Sequence, residues 1–405
     1  MSDKREAPPS IRGIDEMFRL LGRKLAAGEA GTLLVLLMVG AIWTFFQSQN
    51  SRFLSPGNLT NLMLQQAAVA TISIGIVLIL LLGEIDLSVG AASGFCASVM
   101  GVLMVNRGLT PVLAVAAALA LGATIGLFNG FMVTRFRIPS FVVTLAISLT
   151  LVGLQLYVLG DTGSLNLADN FVTQLTSTFL PPLIGWTVAA LVVVVTLSSQ
   201  LIGRARRRAA GLRVGSMGAL VFGIGAIAVA VVSAVFVFNQ DRGLPLVVCI
   251  VFALASVFAY FTQQTRFGRH MFAVGGNAEA SRRAGIKIDH VRLLVFVMGS
   301  TLAGMGGVLA ASRLMAVNQS SGGSDLLLMA IAGPVIAGTS LFGGRGSVWS
   351  ALLGALVIGS IANGMDLLSL ASSVKYIVTG GVLIVAVTIE SVTRMRRHGG
   401  GATTE

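Results

Sequence analysis

Apolar runs of about 20 residues, separated by short polar or charged joints, follow one another along almost the whole chain. A helix needs about 20 mostly apolar residues to cross the hydrocarbon core of a bilayer, so each run is typical of a membrane-spanning helix. Turn and charge signals divide the chain into about twelve such segments, near residues 31–47, 60–82, 88–105, 110–134, 139–160, 183–202, 214–238, 243–262, 293–314, 326–342, 347–366 and 373–392. The pattern predicts an all-α polytopic membrane protein with about twelve transmembrane helices, some of them broken or re-entrant.

Composition supports a single transmembrane unit. Of the 405 residues, 55% are hydrophobic and only 11% are charged, and the mean hydropathy is +0.88. These values lie outside the usual range of soluble domains. We therefore expect an N-terminal segment at 1–30, one transmembrane domain at 31–393 that includes a long polar loop at 265–292, and a C-terminal tail at 394–405.

The basic residues predict how the chain is oriented. If the N-terminus is cytoplasmic and the spans alternate, 23 of the 28 lysine and arginine residues fall on the cytoplasmic side. Cytoplasmic loops carry such an excess of Lys and Arg, so both termini are expected to be cytoplasmic. The same clustering between apolar runs explains the net charge of +12 without a nucleic-acid partner, and the basic joint at 204–213 is also of a kind that attracts anionic lipid head groups.

Three polar segments gain meaning from the side that each one faces. Residues 161–182 and 318–325 are expected to face outward and are candidate landing places for an outer partner. The inward segment 265–292 is longer than membrane anchoring requires, and it contains a Gly-Gly turn and a stretch from Ala278 with the signals of a short helix. This loop is therefore a candidate docking site for a cytoplasmic partner.

Glycines recur at helix-packing spacing. Gly122, Gly126 and Gly130 are four residues apart, and a second cluster lies at 299–307. Small residues at this spacing let helix backbones approach closely in lipid, so close packing is the favoured interpretation. A short likeness between LGATIGLFNG at 121–130 and LGALVIGSIANG at 353–364, on spans of opposite direction, is what an inverted internal repeat requires.

Two carboxylates, Glu84 and Asp86, interrupt the apolar run LLLGEIDLSVGAASG at 80–94. A charged side chain at membrane depth costs at least about 2.5–3.5 kcal/mol, so such residues tend to face a bundle interior or a wet cavity. Asp366, Asn129 and Asn363 also lie in apolar runs.

Structural roles for these carboxylates compete with direct contact to a solute. The stretch at 83–90 is interpreted as a solvated surface loop, as a helix cap formed by Asp86, or as a brace between neighbouring helices. A role in a translocation path or its gating is the alternative.

The sequence contains no pattern of ATP hydrolysis, metal binding or redox chemistry. A phosphate-binding loop needs Gly-Lys-Ser/Thr, and none of the four lysines, Lys4, Lys24, Lys287 and Lys375, follows a glycine. The three histidines lie in basic segments without metal-ligand spacing, and the two cysteines lie in apolar runs. We therefore expect no catalytic residue, no metal and no cofactor in this chain, and any ATP would be bound by a partner.

Four stretches stand out along the chain, namely GEIDLSVG at 83–90, RIPSFVVTL at 137–145, FGRHMFAVGGNAEASRRAGI at 267–286 and AGTSLFGGRGSV at 337–348. Together they resemble the permease subunits of bacterial ABC importers for ribose, arabinose, galactose and xylose. Within the third, Glu279, Ala280, Ser281 and Gly285 match the Glu-Ala-Ala-x-x-x-Gly motif with which such permeases dock on their ATPases, with Ser281 in place of the usual alanine. The chain is most similar to the xylose-type members, which carry an additional hydrophobic hairpin in the middle of the chain.

The resemblance implies partners and a mechanism. It implies a permease homodimer in the bacterial inner membrane, bound to two ATPase subunits and supplied by a periplasmic or lipid-anchored sugar-binding protein. The residues implied for ATPase coupling are Gly275, Gly276, Asn277, Glu279, Ala280, Ser281 and Gly285. A weakly polar sugar path would suit Ser88, Ser93, Asn129 and Asn363, with Glu84, Asp86 and Asp366 as further candidates for the path or its gating.

D-xylose is the substrate that the resemblance favours. Ribose, galactose or another small solute is the alternative within the same class, because the marker stretches are shared. An ion-coupled secondary carrier is the alternative from another class, although the expected membrane histidines and basic partners are absent from the sequence.

Overall fold

A computed structural model of the chain describes residues 31–212 and 217–399, which form 15 α-helices and four short strands. The helices are α1 (Gly31–Gln49), α2 (Pro56–Leu81), α3 (Val89–Val105), α4 (Pro111–Phe136), α5 (Ser140–Leu159), α6 (Phe171–Ser177), α7 (Pro182–Ala209), α8 (Met217–Asn239), α9 (Leu246–Gln264), α10 (Arg266–Gly276), α11 (Ala278–Arg283), α12 (Ile288–Leu314), α13 (Ser324–Ile336), α14 (Trp349–Leu367) and α15 (Ser372–Gly399). The strands are β1 (Ser164–Asn166), β2 (Phe179–Leu180), β3 (Leu244–Pro245) and β4 (Ala316–Asn318).

The prediction of an all-α polytopic membrane protein is confirmed. Eight described helices are long and apolar enough to cross a membrane, namely α2, α4, α5, α7, α8, α9, α12 and α14. Three shorter apolar helices correspond to α1, α3 and α13, and α15 coincides with the last predicted run. Each of the twelve predicted runs therefore contains one helix.

Several predicted boundaries differ from the structure. Helix α7 continues to Ala209, through the arginines of the basic joint, and residue 213 of that joint lies outside the described residues. Helix α12 begins at Ile288, inside the segment predicted as a polar loop. Helix α15 continues through 394–399 of the predicted tail, whereas the predicted N-terminal segment at 1–30 lies outside the described residues.

Helix α2 lies at the centre of the helix body. Its most apolar 18-residue window is 89% buried, and it is apolar on all sides, as expected for a helix that packs against protein all round. Helix α12 packs against α2, α3 and α4, and α14 packs against α2 and α13. The exposed apolar side chains of α4, α5, α7, α8 and α9 lie on the outside of this core.

Local signals set the bounds of α2. Ser55 caps its start, where the Ser55 hydroxyl accepts a hydrogen bond from the backbone N–H of Asn58 at 3.4 Å, and Pro56 takes the first helical position. The helix ends just before Gly83, whose φ of +75° lies in the left-handed region that favours glycine. The acidic stretch at 84–86 follows directly.

The glycine stripe of α4 brings its backbone against α12. A Cβ atom added at Gly122 would lie 2.8 Å from the Ser300 carbonyl oxygen, and one at Gly126 would lie 2.3 Å from that of Phe296. On the other side of α12, Gly75 of α2 approaches Gly299 in the same way, with 2.7 Å to its carbonyl oxygen. The prediction that these glycines serve close packing is confirmed.

The run predicted as a span at 326–342 contains a much shorter helix. Helix α13 has 13 residues and is about 20 Å long, too short for a hydrocarbon core of about 30 Å. The residues before it, 316–323, descend along α3, because Gly101 faces Val317 and Gly94 faces Ser321. We call residues 316–323 the re-entrant segment. The predicted re-entrant element is therefore this segment, followed by a half-length helix.

The connections lie at two opposite ends of the helix body. At one end the antiparallel pairs β1–β4 and β2–β3 join the chain after α5 and α6 to the chain before α9 and after α12. At the other end lie the connections 82–88, 137–139, 265–287 and 337–348. We call the end with the strands the strand end and the end with these four connections the loop end. The sequence did not predict the strands or α6, which fold the polar segment 161–182 onto the body.

Replacing Gly126 with alanine tests the packing of α4 on α12. The new methyl group would overlap the α12 backbone, so we expect Gly126→Ala to lower the stability of the purified protein by about 1–3 kcal/mol. The measurement is thermal unfolding in detergent. Gly153→Ala is the matched control, because a Cβ at this glycine of α5 meets no atom of the described residues within 4 Å. Equal melting temperatures for the two variants would contradict the packing role.

Candidate coupling site

Two short helices make up most of the long polar loop at the loop end. The Thr265 hydroxyl caps α10 by accepting from the N–H of Gly268 at 3.1 Å, and the Asn277 side chain caps α11 by accepting from the N–H of Ala280 at 2.9 Å. Such caps satisfy backbone donors that a helix start leaves free. The short helix predicted from Ala278 is therefore present as α11.

The seven residues implied for ATPase coupling lie mainly on the surface. The exposed ones are Gly276, Asn277, Glu279, Ala280 and Gly285, whereas Gly275 is half-buried and Ser281 is buried. Glu279 pairs with Arg282 and Arg283, each at 3.3 Å, but all three side chains are well exposed. Such surface pairs contribute little stability. The loop therefore presents a preformed polar surface whose shape comes from its caps.

Gly275 joins this surface to the helix body through backbone contact. A Cβ atom at Gly275 would lie 1.8 Å from the Leu81 carbonyl oxygen and 2.7 Å from the backbone nitrogen of Gly344. The same Leu81 oxygen accepts a hydrogen bond from the Gly344 N–H at 3.0 Å. Only glycine permits this approach, so the ends of α2 and α10 and the connection 337–348 are held in direct contact.

The connection 82–88 is held by side chains from two other elements. The Ser140 hydroxyl accepts from the N–H of Ile85 at 3.2 Å, and the Thr144 hydroxyl accepts from the N–H of Leu87 at 3.0 Å. Both hydroxyls come from the first turns of α5, and they satisfy backbone donors that the irregular connection leaves free.

Glu84 braces α12. Its Oε1 lies 2.9 Å from Nε of Arg292, and both side chains are half-buried, so the two form an ion pair that is partly shielded from water. The contact is an ion pair rather than an aligned hydrogen bond. Of the structural interpretations given for residues 83–90, a brace between neighbouring helices is the one that fits Glu84.

Asp86, Ser88 and Asn129 form a buried polar chain. The Ser88 hydroxyl donates to Oδ1 of Asp86 at 2.6 Å and accepts from the Asn129 side-chain amide at 2.9 Å. The Ser88 N–H donates to the same Asp86 oxygen at 2.8 Å. Asp86 is 4% exposed, so the interpretation of 83–90 as a solvated loop is wrong for this carboxylate. Its side chain accepts from the N–H of Ser88, the residue just before α3, and not from an N–H within α3.

The remaining candidates for a path lie elsewhere. Asn363 is buried and accepts from the Asn58 side chain at 2.8 Å, and Asp366 forms an ion pair with Lys375 at the strand end. The Ser93 hydroxyl donates to the Gly90 carbonyl at 2.7 Å and lies beside a cavity described below. The structure thus brings together Asp86, Ser88 and Asn129 but places Ser93, Asn363 and Asp366 apart from them.

Sequence reasoning missed Gln155 of α5, which is 2% exposed. Its side-chain amide donates to the carbonyl oxygens of Asn318 and Ser321, each at 3.0 Å, and so holds the re-entrant segment. The signal that could have pointed to it is a polar amide inside the apolar run 140–159. Among the described residues no group of three His, Cys, Asp or Glu side chains is placed to hold a metal ion.

The four stretches that carry the resemblance converge at the loop end. Leu81 and Gly83 contact the Gly275 and Gly343 backbones, the hydroxyls of Ser140 and Thr144 hold the connection 82–88, and Arg292 pairs with Glu84. The structure is therefore that of a polytopic membrane protein whose exposed two-helix loop is locked onto the ends of its transmembrane helices.

The chain belongs to the family described as the permease component of the branched-chain amino acid transport system, whose model matches residues 58–387. It is 34% identical over 357 residues to the xylose transport system permease protein XylH of Escherichia coli strain K12, covering 88% of this chain and 90% of the relative. It is 31% identical to XylH of Haemophilus influenzae over 374 residues, covering 92% of this chain and 99% of the relative.

A further relative is named for a different sugar. The chain is 29% identical over 364 residues to the ribose import permease protein RbsC of Escherichia coli strain K12, covering 90% of this chain and 94% of the relative. No solved structure matches the chain.

Removal of the Ser88 hydroxyl tests the buried polar chain. Ser88→Ala removes the hydrogen-bond partner of the Asn129 amide and leaves Asp86 with only the backbone N–H of residue 88. An unsatisfied buried group costs about 1–3 kcal/mol. We therefore expect a clear drop in melting temperature. Ser98→Ala on the same helix is the control, since Ser98 is equally buried and its hydroxyl has no partner in the described part of the chain. Equal effects of the two substitutions would contradict the bridging role of Ser88.

Proposed function

We propose that this chain is the permease subunit of an ATP-driven importer of monosaccharides, and that D-xylose is its substrate. The observation that carries the proposal is the α10–α11 loop, exposed on its outer surface and fixed to α2 through the Gly275 backbone. Similarity to XylH over most of both chains supports the choice of sugar.

ATP hydrolysis belongs to a partner in this proposal. Residues Gly275, Gly276, Asn277, Glu279, Ala280, Ser281 and Gly285 provide contact, not catalysis. The exposed surface of α11 sits in a groove of a cytoplasmic ATPase subunit, and closure of the ATPase pair moves the loop.

Displacement of the loop has two structural routes into the membrane helices. One is the contact of Gly275 with Leu81 at the end of α2, and the other is the ion pair of Arg292 with Glu84. Through Glu84 the movement reaches the connection that holds Asp86 and Ser88, and through them Asn129 of α4. These residues are then part of the gating machinery and do not touch the sugar.

The other partners follow from this assignment. The loop end faces the cytoplasm of a bacterium and the strand end faces the periplasm, with both termini cytoplasmic and the permease working as a homodimer. A sugar-binding protein docks at the strand end on segments 161–182 and 318–325. The distribution of Lys and Arg supports this orientation.

Ribose is the second candidate substrate, because RbsC is similar over 90% of this chain. Galactose, another small solute and an ion-coupled carrier without an ATPase are further alternatives. They make different predictions for uptake without partners or with another sugar.

Uptake of labelled D-xylose tests the proposal. In cells where this chain is the only route, we expect uptake that disappears when either the ATPase or the binding protein is removed, and that survives a protonophore at constant ATP. Uptake that persists without both partners would instead establish a secondary carrier. Uptake of ribose but not D-xylose would retain the importer and replace the sugar.

Gly285→Arg tests the docking surface. Gly285 has a φ of +82°, and a Cβ there meets no described atom within 4 Å, so the large side chain projects into the space where the ATPase would sit. We expect uptake to fall at least tenfold while membrane insertion is retained, as measured by uptake and by the amount of permease in isolated membranes.

Gly211→Arg is the matched control. Gly211 also has a positive φ, +69°, with open space among the described residues around its Cβ position, and it lies in the basic joint after α7. We expect uptake close to that of the parent chain. Normal uptake by Gly285→Arg would overturn the docking assignment.

A further inference from the structure

A cavity of about 380 Å³ lies between α2, α3, α12 and the re-entrant segment. Ligand pockets in proteins have volumes of about 300–1,000 Å³, so this one has the size for a small ligand. Its wall includes Leu64 and Ala68 of α2, Ala97 of α3, and Met329 of α13. None of the residues of the Asp86 chain takes part in it.

The cavity reaches deep into the helix body from the strand end. Gly307 in its wall lies seven residues before the end of α12, or about 10 Å at 1.5 Å per residue. Ala68 lies twelve residues after the start of α2, or about 18 Å by the same rise. The cavity therefore reaches about 10–18 Å into the helix body, which is comparable with half the thickness of a hydrocarbon core of about 30 Å.

The re-entrant segment gives the cavity a polar wall. Irregular backbone occurs at membrane depth only where it is buried in protein or lines a water-filled space. The Gln155 side-chain amide donates to the Asn318 and Ser321 carbonyls of this segment. The Asn318 side chain accepts from the N–H of Ser320 at 2.9 Å. The segment is therefore a fixed surface, which is what a binding wall requires.

The side chains of the wall offer donors and acceptors together. Gln65, Asn318 and Ser320 supply amide and hydroxyl groups, and Arg313 and Asp325 supply one positive and one negative charge. In the described part of the chain, the side chains of Gln65 and Asp325 form no hydrogen bond or ion pair. They are therefore free to bind a ligand.

The ligand chemistry follows from this mixture. Each hydroxyl of a polyol both donates and accepts, so it matches amide, hydroxyl, guanidinium and carboxylate groups at once. The opposite charges make the wall unsuited to an anion or a cation alone. A lipid acyl chain would offer these polar groups no hydrogen bond.

We propose that this cavity is the site where a monosaccharide rests within the permease after delivery at the strand end. The proposal rests on the proposed function, since it assumes a sugar as the transported solute. Gln65 and Asp325 hydrogen-bond the sugar hydroxyls, the re-entrant segment forms the polar wall, and Ala68, Ala97 and Met329 form the apolar floor.

The test uses the complex of permease, ATPase and binding protein in proteoliposomes, with labelled D-xylose. Gln65→Leu and Asp325→Asn keep the size of each side chain but remove hydrogen-bonding capacity or charge. We expect each to lower the initial rate of uptake at least tenfold, while the permease still copurifies with its ATPase. Because Asp325 also lies in the proposed docking segment 318–325, both variants must still bind the sugar-binding protein as the parent does. Gln200→Leu is the control, because Gln200 is a half-buried glutamine of α7 away from the cavity, and we expect unchanged uptake.

Ser320→Cys probes access without disturbing the fold. We expect a membrane-impermeant methanethiosulfonate to modify this thiol and to block uptake, and the xylose-loaded binding protein to slow the modification. The parent chain, whose Cys96 is buried and whose Cys249 is half-buried, is the reference for background modification. A thiol at 320 that does not react, or reacts without effect on uptake, would overturn the cavity assignment.

The outcomes separate the two proposals. If the parent complex takes up D-xylose and the Gln65 and Asp325 variants do so within twofold of it, the cavity is not the sugar site but the function stands. If the parent complex takes up no monosaccharide with both partners and ATP present, the function fails and the cavity inference fails with it.

Discussion

Close contact between backbones, made possible by glycine, is the constraint on which this structure depends. In lipid the hydrophobic effect does not drive helices together, so packing must supply the attraction. The Gly126 stripe seats α4 on α12, Gly75 seats α2 on the opposite side of α12, and Gly94 admits the re-entrant segment beside α3. The same device at Gly275 joins the polar loop to the end of α2.

Because these contacts leave almost no free space between the helices, a movement at the loop end is passed on to the helices and not absorbed locally. Packed interfaces pass between discrete arrangements instead of deforming continuously. Leu81 and the Glu84–Arg292 pair connect the α10–α11 loop to α2 and α12, the two helices that also wall the cavity. One pair of helices thus connects the surface proposed to face the ATPase with the place where a solute is proposed to rest.

The sequence predicted the spans well because hydropathy and length reflect a requirement that the bilayer imposes on each helix separately. It predicted the packing role of Gly122, Gly126 and Gly130 for a similar reason, since their spacing is local. It did not predict that Asp86, Ser88 and Asn129 meet, or that Gln65 and Asp325 share a cavity. Those relations depend on how distant helices pack, which a single sequence does not encode in any local pattern. The half-length α13 was hidden because its apolar run continues beyond Ile336.

The proposed coupling requires the α2–α3 connection and the start of α12 to move as one body with the loop. Its direct test joins positions 84 and 292 in the variant Glu84→Cys/Arg292→Cys with a short, reducible bis-methanethiosulfonate linker. Uptake of labelled sugar is then compared in the linked and reduced forms of the same protein. The account predicts equal uptake in both forms. Uptake that is lost on linking and restored by a reductant would show that the two elements separate during transport, which contradicts it.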